Sequence, residues 1–324
     1  MTVHILNQYF WPDSAPTAIY AEQIGLCLQK NGFDVTMVSG SGAYRMGTRP
    51  RPALTHYSLP VYAGRRGGLV STLREYQSVF SAFLRYIQDK VEKNDVVLCT
   101  AAPPQAIHLI GAIRQKKARA IYRLEDYYPD LLRGYIRYPW WVRQMLAGHW
   151  DREMRKWDHV AKIASNLDYN GPNSSVLRNW PTLDFGSPRP FEPKTACYFG
   201  NLGYGHCHKS FIKTCETLRA DGYSITLIGD GPKVSRLPSW IRVIPSPDET
   251  NLVDLHWRAE IHLIAGDPKI TGAIFPSKYW NSRATGRKIV ASGFAGPMLA
   301  ELNEANALTK MPSPEDWLPL FKSV

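Results

Sequence analysis

The chain has 324 residues, of which 44% are hydrophobic and 21% charged, and a formal net charge of +11. That length exceeds what one hydrophobic core usually serves, so two domains are expected, and the composition is ordinary for a globular protein. No stretch approaches the ~18 consecutive apolar residues of a membrane span.

Val3 to Leu6 predicts a strand, followed by a loop of turn formers from Asn7 to Pro16 that contains Asp13 and Ser14. Thr17 to Gln29 has helical apolar spacing and stops at Asn31-Gly32, and Asp34 to Val38 is the next strand. Strand, loop, helix, glycine and strand in that order make a βαβ unit, which requires a parallel sheet. The pattern goes on with a strand at Tyr57 to Val61, a helix at Val70 to Lys90, a strand at Asp95 to Thr100, a helix at Gln105 to Ile113 and a strand at Ala118 to Tyr122. The last of these delivers Glu125, Asp126 and Asp130 at its carboxyl end, where parallel α/β sheets gather their ligands.

From Arg133 to Lys156 the basic residues Arg133, Arg137, Arg143, Arg152, Arg155 and Lys156 alternate with Tyr135, Tyr138, Trp140, Trp141 and Trp150. Such a mixture suits an anionic membrane surface, a polyanion or a lipid-linked phosphate, and equally a solvated helix face with aromatics turned inward. A strand at His159 to Ala164 and a short one at Ser174 to Leu177 lead into Arg178-Asn179-Trp180-Pro181. The cluster of proline, glycine and aspartate after it reads as an interdomain linker. The predicted division is 1–182, a linker at 183–193, a second domain at 194–310 and a terminal segment at 311–324 that crosses back to the first domain.

The second domain repeats the scheme. A strand at Thr195 to Phe199 runs into the glycine-rich turn Gly200 to Gly205, then a helix from Lys209 to Ala220. Strands follow at Ser224 to Ile228, ending in Gly229-Asp230-Gly231-Pro232, and at Ile241 to Ile244. A helix at Asn251 to Arg258 and a strand at Ile261 to Ile264 come next. Pro276-Ser277 then starts a helix carrying Lys278 and Asn281, Gly286 stops it, and Ile289 to Ala291 is a buried strand. Free N–H groups at such a helix start, with the Lys278 ammonium, suit a phosphate or diphosphate; a surface lysine on an ordinary helix is the plainer alternative.

The five cysteines are odd in number and lack a Cys-x-x-Cys pair, so reduced thiols are expected. His206-Cys207-His208 is the only tight run of metal-ligand types, and neighbouring positions rarely point at one ion. No helix-turn-helix, zinc-finger or RNA-binding signature accompanies the positive charge, so nucleic acid is not an expected partner. The chain begins directly with a strand-like run and no basic leader, so the expected location is cytoplasmic, with peripheral contact at the inner membrane face if the basic region engages it.

Six motifs in order, namely Tyr9-Phe10-Trp11-Pro12-Asp13, Asp126-Tyr127-Tyr128-Pro129-Asp130, Arg178-Asn179-Trp180-Pro181, Tyr198-Phe199-Gly200-Asn201-Leu202-Gly203, Gly229-Asp230-Gly231-Pro232 and Pro276-Ser277-Lys278 through Asn281, resemble the GT-B glycosyltransferases of family 4, in particular the O-antigen and colanic-acid type. The resemblance implies an α/β chain of GT-B architecture, with two Rossmann-like doubly wound parallel-sheet domains facing a cleft. It implies a nucleoside-diphosphate sugar as co-substrate with no further cofactor, and transfer with retention to a sugar, lipid-linked or small-molecule acceptor. Donor contacts map to Gly200, Asn201, Gly203, Lys209, Ser277, Lys278 and Asn281; the acceptor side maps to Asp13, Ser14 and Glu125, and the catalytic position to Asp126. Many members carry two glutamates eight positions apart, which fall here on Ala273 and Asn281. A sugar-nucleotide epimerase of similar fold and a non-catalytic polyanion binder are the alternatives. Ala273 counts against the epimerase, which needs an acid and a base on both faces of the sugar.

Overall fold

The computed structural model describes residues 1–40, 50–64, 68–134, 138–203 and 205–322. Tyr135 and Arg137 of the basic region, and Tyr204 of the glycine-rich turn, lie outside the described residues.

The first sheet is built from β1 (Thr2–Leu6), β2 (Asp34–Gly40), β3 (Thr55–Leu59), β4 (Val96–Thr100), β5 (Arg119–Leu124), β6 (His159–Lys162) and β7 (Ser174–Val176). They are ordered β3-β2-β1-β4-β5-β6-β7, and every neighbouring pair is parallel. The second sheet holds β8 (Glu192–Phe199), β9 (Ser224–Ile228), β10 (Arg242–Ile244), β11 (Ala259–Ala265) and β12 (Lys288–Ser292) in the order β10-β9-β8-β11-β12, again parallel throughout. In both sheets the order turns back beside the first strand, so the loops that leave its carboxyl end border a crevice. The central strands β1 and β4 are nearly continuous buried apolar runs, as expected where both faces of a parallel sheet are covered.

Those helices are α1 (Pro16–Lys30), α2 (Leu69–Lys90), α3 (Ile110–Gln115), α4 (Tyr128–Leu131) and α5 (Trp140–Met154) in the first half. The second half has α6 (His208–Ala220), α7 (Glu249–Arg258), α8 (Lys278–Ala284), α9 (Gly296–Ala307) and α10 (Pro319–Lys322). Strand β8 starts at Glu192, inside the segment read as linker at 183–193. The sequence reading passed over α9, whose apolar positions Met298, Leu302 and Ala305 are buried but whose polar residues crowd a short span.

The halves are joined firmly. One apolar core runs from Val97, Tyr122 and Trp157 of the first half to Ile264, Phe275, Trp280 and Met298 of the second. Around it, backbone carbonyls of the loop after β11 accept bonds from the first half: Tyr127 N–H donates to Ala273 O at 2.8 Å, Asp168 N–H to Gly272 O at 3.0 Å, and Asn166 Nδ2 to Thr271 O at 2.7 Å. The Glu301 carboxylate on α9, fully buried, accepts from Ser165 N and Oγ at 2.8 and 2.5 Å and from Arg178 Nε and Nη2 at 2.7 and 2.9 Å. The chain's end returns to the first sheet, where Trp317 and Phe321 are buried with Ile24, Leu28 and Ile121. A Ser313/Asp316 capping box starts the turn that carries Trp317.

Removing one member of a buried ion pair leaves the other charge without compensation. Arg178→Met is therefore expected to lower the unfolding free energy by about 3–5 kcal/mol in urea melts.

Candidate functional site

The crevice of the second half is lined by three segments. The turn after β8 and the turn after β9 pack backbone to backbone: Gly200 N–H donates to Ile228 O at 2.7 Å and Leu202 N–H to Asp230 O at 2.8 Å. This contact demands glycine. Gly229 has φ +145°, and a Cβ there would stand 2.5 Å from Gly200 O. Gly200 itself has φ +101°, and a Cβ on it would meet Lys278 Cε at 2.8 Å.

Lys278 thus lies across the Gly200 turn, its Nζ 5.3 Å from the centre of the Tyr198 ring. A cation over an aromatic face is attracted by the ring's quadrupole, but the contact is no counter-ion. Among the described residues no carboxylate pairs with Lys278, and burial pushes its pKa from 10.5 down to about 8. It stands at the first position of α8, a helix of only seven residues, behind an N-cap Ser277 whose side chain makes no capping bond. The ammonium rather than the helix end is therefore the main anion-attracting feature here.

His206 completes the turn. Its Nδ1 accepts from Gly203 N–H at 3.0 Å and also lies 3.2 Å from Gly203 O, and its Nε2 is 3.4 Å from Tyr198 Oη. Burial, helped by the Lys278 and Lys233 charges, lowers its pKa to about 3, so the ring stays neutral at physiological pH. Lys233, beside the Gly-Asp-Gly-Pro turn, donates from Nζ to His206 O at 2.5 Å. Its motif stands out in the sequence but this side chain does not; Lys209, expected among the donor contacts, is exposed near the start of α6, and its side chain makes no bond among the described residues.

Other expected donor contacts have different employment. Three amides of the glycine-rich turn, those of Gly200, Leu202 and Gly203, are already satisfied within the protein, which differs from an open cradle of free N–H groups. Asn201 is partly buried, and its Oδ1 has no hydrogen-bond partner. Asn281 is engaged with the chain crossing between the halves: its Oδ1 accepts from Thr182 N at 2.8 Å and its Nδ2 donates to Thr182 Oγ1 at 3.2 Å. Ala273 is fully buried in the joint with Tyr127.

On the first half, polar groups meet at the carboxyl ends of β1, β4 and β5. Asn7 Oδ1 accepts from Thr100 Oγ1 at 2.6 Å, and Thr17 Oγ1 lies 2.9 Å from both Asn7 Oδ1 and Glu125 Oε2. Glu125 is the counter-ion of Arg123, whose guanidinium is fully buried, donates to Asn179 Oδ1 at 2.5 Å and lies 5.0 Å from the Tyr20 ring centre. Asp13 is fully buried and accepts from Ala15 N–H at 2.7 Å, which holds the loop after β1; Ser14 beside it is partly buried. Glu125 and Asp13 thus both hold bonds within the framework. Asp126 is partly buried, and its charge helps burial raise the Tyr128 hydroxyl's pKa. It does not cap α4, whose N-cap is Tyr127.

His206, Cys207 and His208 do not converge: His206 faces Gly203, and Cys207 Sγ accepts from Ser210 Oγ at 3.2 Å. Among the described residues no three His, Cys, Asp or Glu side chains are grouped to hold a metal ion. Likewise, none of the described helices is long and apolar enough to cross a membrane.

No protein-family model matches the chain, and no curated protein is similar to it. Solved structures do resemble it. The catalytic domain of starch synthase IV from Arabidopsis thaliana, bound to ADP and acarbose, superposes with TM-score 0.60 at 11% identity, covering 90% of this chain and 82% of that one. Sucrose-phosphate synthase from Thermosynechococcus elongatus gives 0.57 at 12% identity, with 90% and 81% covered. A glycosyltransferase from Rickettsia africae gives 0.54 at 12% identity, with 90% and 79% covered. Together with the two parallel sheets facing a crevice, these likenesses give the chain the GT-B architecture.

An unpaired, partly buried ammonium costs stability. Its folded-state pKa lies below the ordinary 10.5, so the cost is fully present below about pH 8 and disappears as pH rises towards 10.5. Lys278→Met is expected to raise Tm at pH 7 by about 1–2 °C, the shift that about 1 kcal/mol produces in a protein of this size. A thermal melt at pH 7 and at pH 10.5, where the gain should shrink, checks this.

Proposed function

We propose that this protein is a glycosyltransferase that moves a sugar from a nucleoside-diphosphate sugar to an acceptor hydroxyl. The observation that carries the reading is the Lys278 ammonium, held across the Gly200 turn against Tyr198 with no carboxylate partner among the described residues. In such a transfer the bond between the anomeric carbon and the diphosphate oxygen breaks, the electron pair leaves with the nucleoside diphosphate, and the acceptor hydroxyl loses its proton. Negative charge grows on the departing oxygens, and a fixed cation there is stabilised most in the transition state. Lys278, with Lys233 also close to His206, is the group assigned that task. The diphosphate would supply the counter-ion that Lys278 lacks.

Asp126 is assigned to orient the acceptor or to take its proton. It stands at the carboxyl end of β5, next to Tyr127, whose N–H holds the Ala273 carbonyl of the opposite half. Ser277 adjoins the diphosphate position at the start of α8. The motif likeness adds retention at the anomeric carbon, a role of the family 4 type in envelope polysaccharide or other glycoconjugate synthesis, and a sugar, lipid-linked or small-molecule acceptor. A cytoplasmic location is part of the same reading. The starch synthase with bound ADP lends the nucleoside diphosphate further support at the level of fold.

Titration calorimetry with UDP, GDP and dTDP should reveal saturable binding of one of them, weakened about 30-fold in Lys278→Ala, the loss of about 2 kcal/mol from one charge-assisted hydrogen bond. Binding favours the charged ammonium, so affinity should be level just below pH 8 and fall by up to about tenfold per pH unit above it. Wild-type protein that binds none of the three nucleotides contradicts the reading. Asp126→Asn should keep the nucleotide affinity and lose about 100-fold or more in kcat.

A further inference from the structure

The outer face of α5 differs from the surface around it. Trp140 is 72% exposed, Trp141 53% and Met145 67%. Together with Gln144, His149 and Arg152 they line one shallow depression along the helix. Trp141, Met145, Gly148 and Arg152 follow at helical spacing, so they form a single stripe. A surface helix ordinarily turns its apolar stripe inward. Here the inner side is already fixed. Ala147 and Met154 are buried, Arg143 forks onto Asp130 at 2.8 and 2.9 Å and reaches Asp168, and Asp151 accepts from Tyr127 Oη at 2.9 Å.

The charges on this face have one sign. Arg133, Arg152, Arg155 and Lys156 are exposed, Arg133 lying 3.9 Å from Asp130 and Lys156 2.6 Å from Glu153; the two carboxylates between 132 and 156, Asp151 and Glu153, are partly buried, and Asp151 is engaged with Tyr127. Arg152 and Arg155 pair with no carboxylate among the described residues. Of the arginines expected to act at a surface, Arg143 is withdrawn by its bonds to Asp130 and Asp168.

We propose that this face of α5 docks on an anionic phospholipid bilayer. Trp140, Trp141 and Met145 enter the headgroup boundary, and Arg152 and Arg155 lie against the lipid phosphates. Indole rings favour that boundary because one edge is apolar and the other donates a hydrogen bond, and arginine stems cover apolar surface while their heads stay at the phosphates. Charge complementarity selects an anionic bilayer over a neutral one. Tyr127 serves both α5 and the Ala273 carbonyl, so the docked helix and the joint between the halves share a residue.

The test is co-sedimentation of the full chain with vesicles of phosphatidylcholine alone and with about one third phosphatidylglycerol. Binding is expected to the anionic vesicles only and to weaken with salt. The Trp140→Ser/Trp141→Ser/Met145→Ser variant should bind on the order of 100-fold more weakly. Arg152→Gln/Arg155→Gln, which leaves the apolar stripe intact, should lose about 25-fold at low salt. Unchanged melting temperatures and nucleotide affinity in both variants separate this result from misfolding and from the activity proposed above. Equal binding to neutral vesicles, no binding, or variants that bind like the wild type overturn the proposal. A wild-type dimer that the serine variant dissociates also overturns it, because a second copy would then cover the face.

Discussion

The Glu301 carboxylate holds the two halves in their relation. It is fully buried, and Ser165 and Arg178, both from the first half, supply four donors to it. Ser165 is followed by Asn166 and Asp168, which bind the backbone of the loop at 271–274. That loop leads directly into Ser277 and Lys278. The position of the cation in the second half is thus set partly by residues of the first.

Three buried or half-buried cations show how differently the fold treats charge. Arg178 has Glu301 and Glu304, and fully buried Arg123 has Glu125, Asn179 and two flanking aromatic rings. Both are framework, because every charge is answered from within the chain. Among the described residues Lys278 is answered only by the Tyr198 ring, and burial lowers its pKa. A charge left without a partner at the carboxyl end of a parallel sheet is the kind of imbalance that active sites keep and frameworks remove.

The polar residues around the crevice follow the same division. Asn281, Asp13 and Glu125 stand close to where a donor or acceptor would lie, yet their bonds run to Thr182, Ala15 and Arg123. They stabilise the walls. The glycines of the two turns have a related role, because Gly200 and Gly229 allow backbones and the Lys278 stem to approach closer than any side chain permits.

The parallel βα order of both halves, the turns at Gly200 and Gly229 and the stop at Gly286 are legible in the residues alone, since apolar runs of strand length, helical spacing and glycine punctuation are local signals. The sequence also picked out Lys278. What it could not determine is which polar residues pair with each other, because such bonds join positions far apart in the chain: Glu301 with Arg178, Asn281 with Thr182, Lys233 with His206. A local pattern displays a side chain's chemistry but not whether that chemistry is already used. The bonds of Asn281 to Thr182 and of Glu125 to Arg123, the place of Lys233 beside the turn and the outward set of Trp140 and Trp141 emerge in the folded chain, because packing alone assigns each group its neighbours.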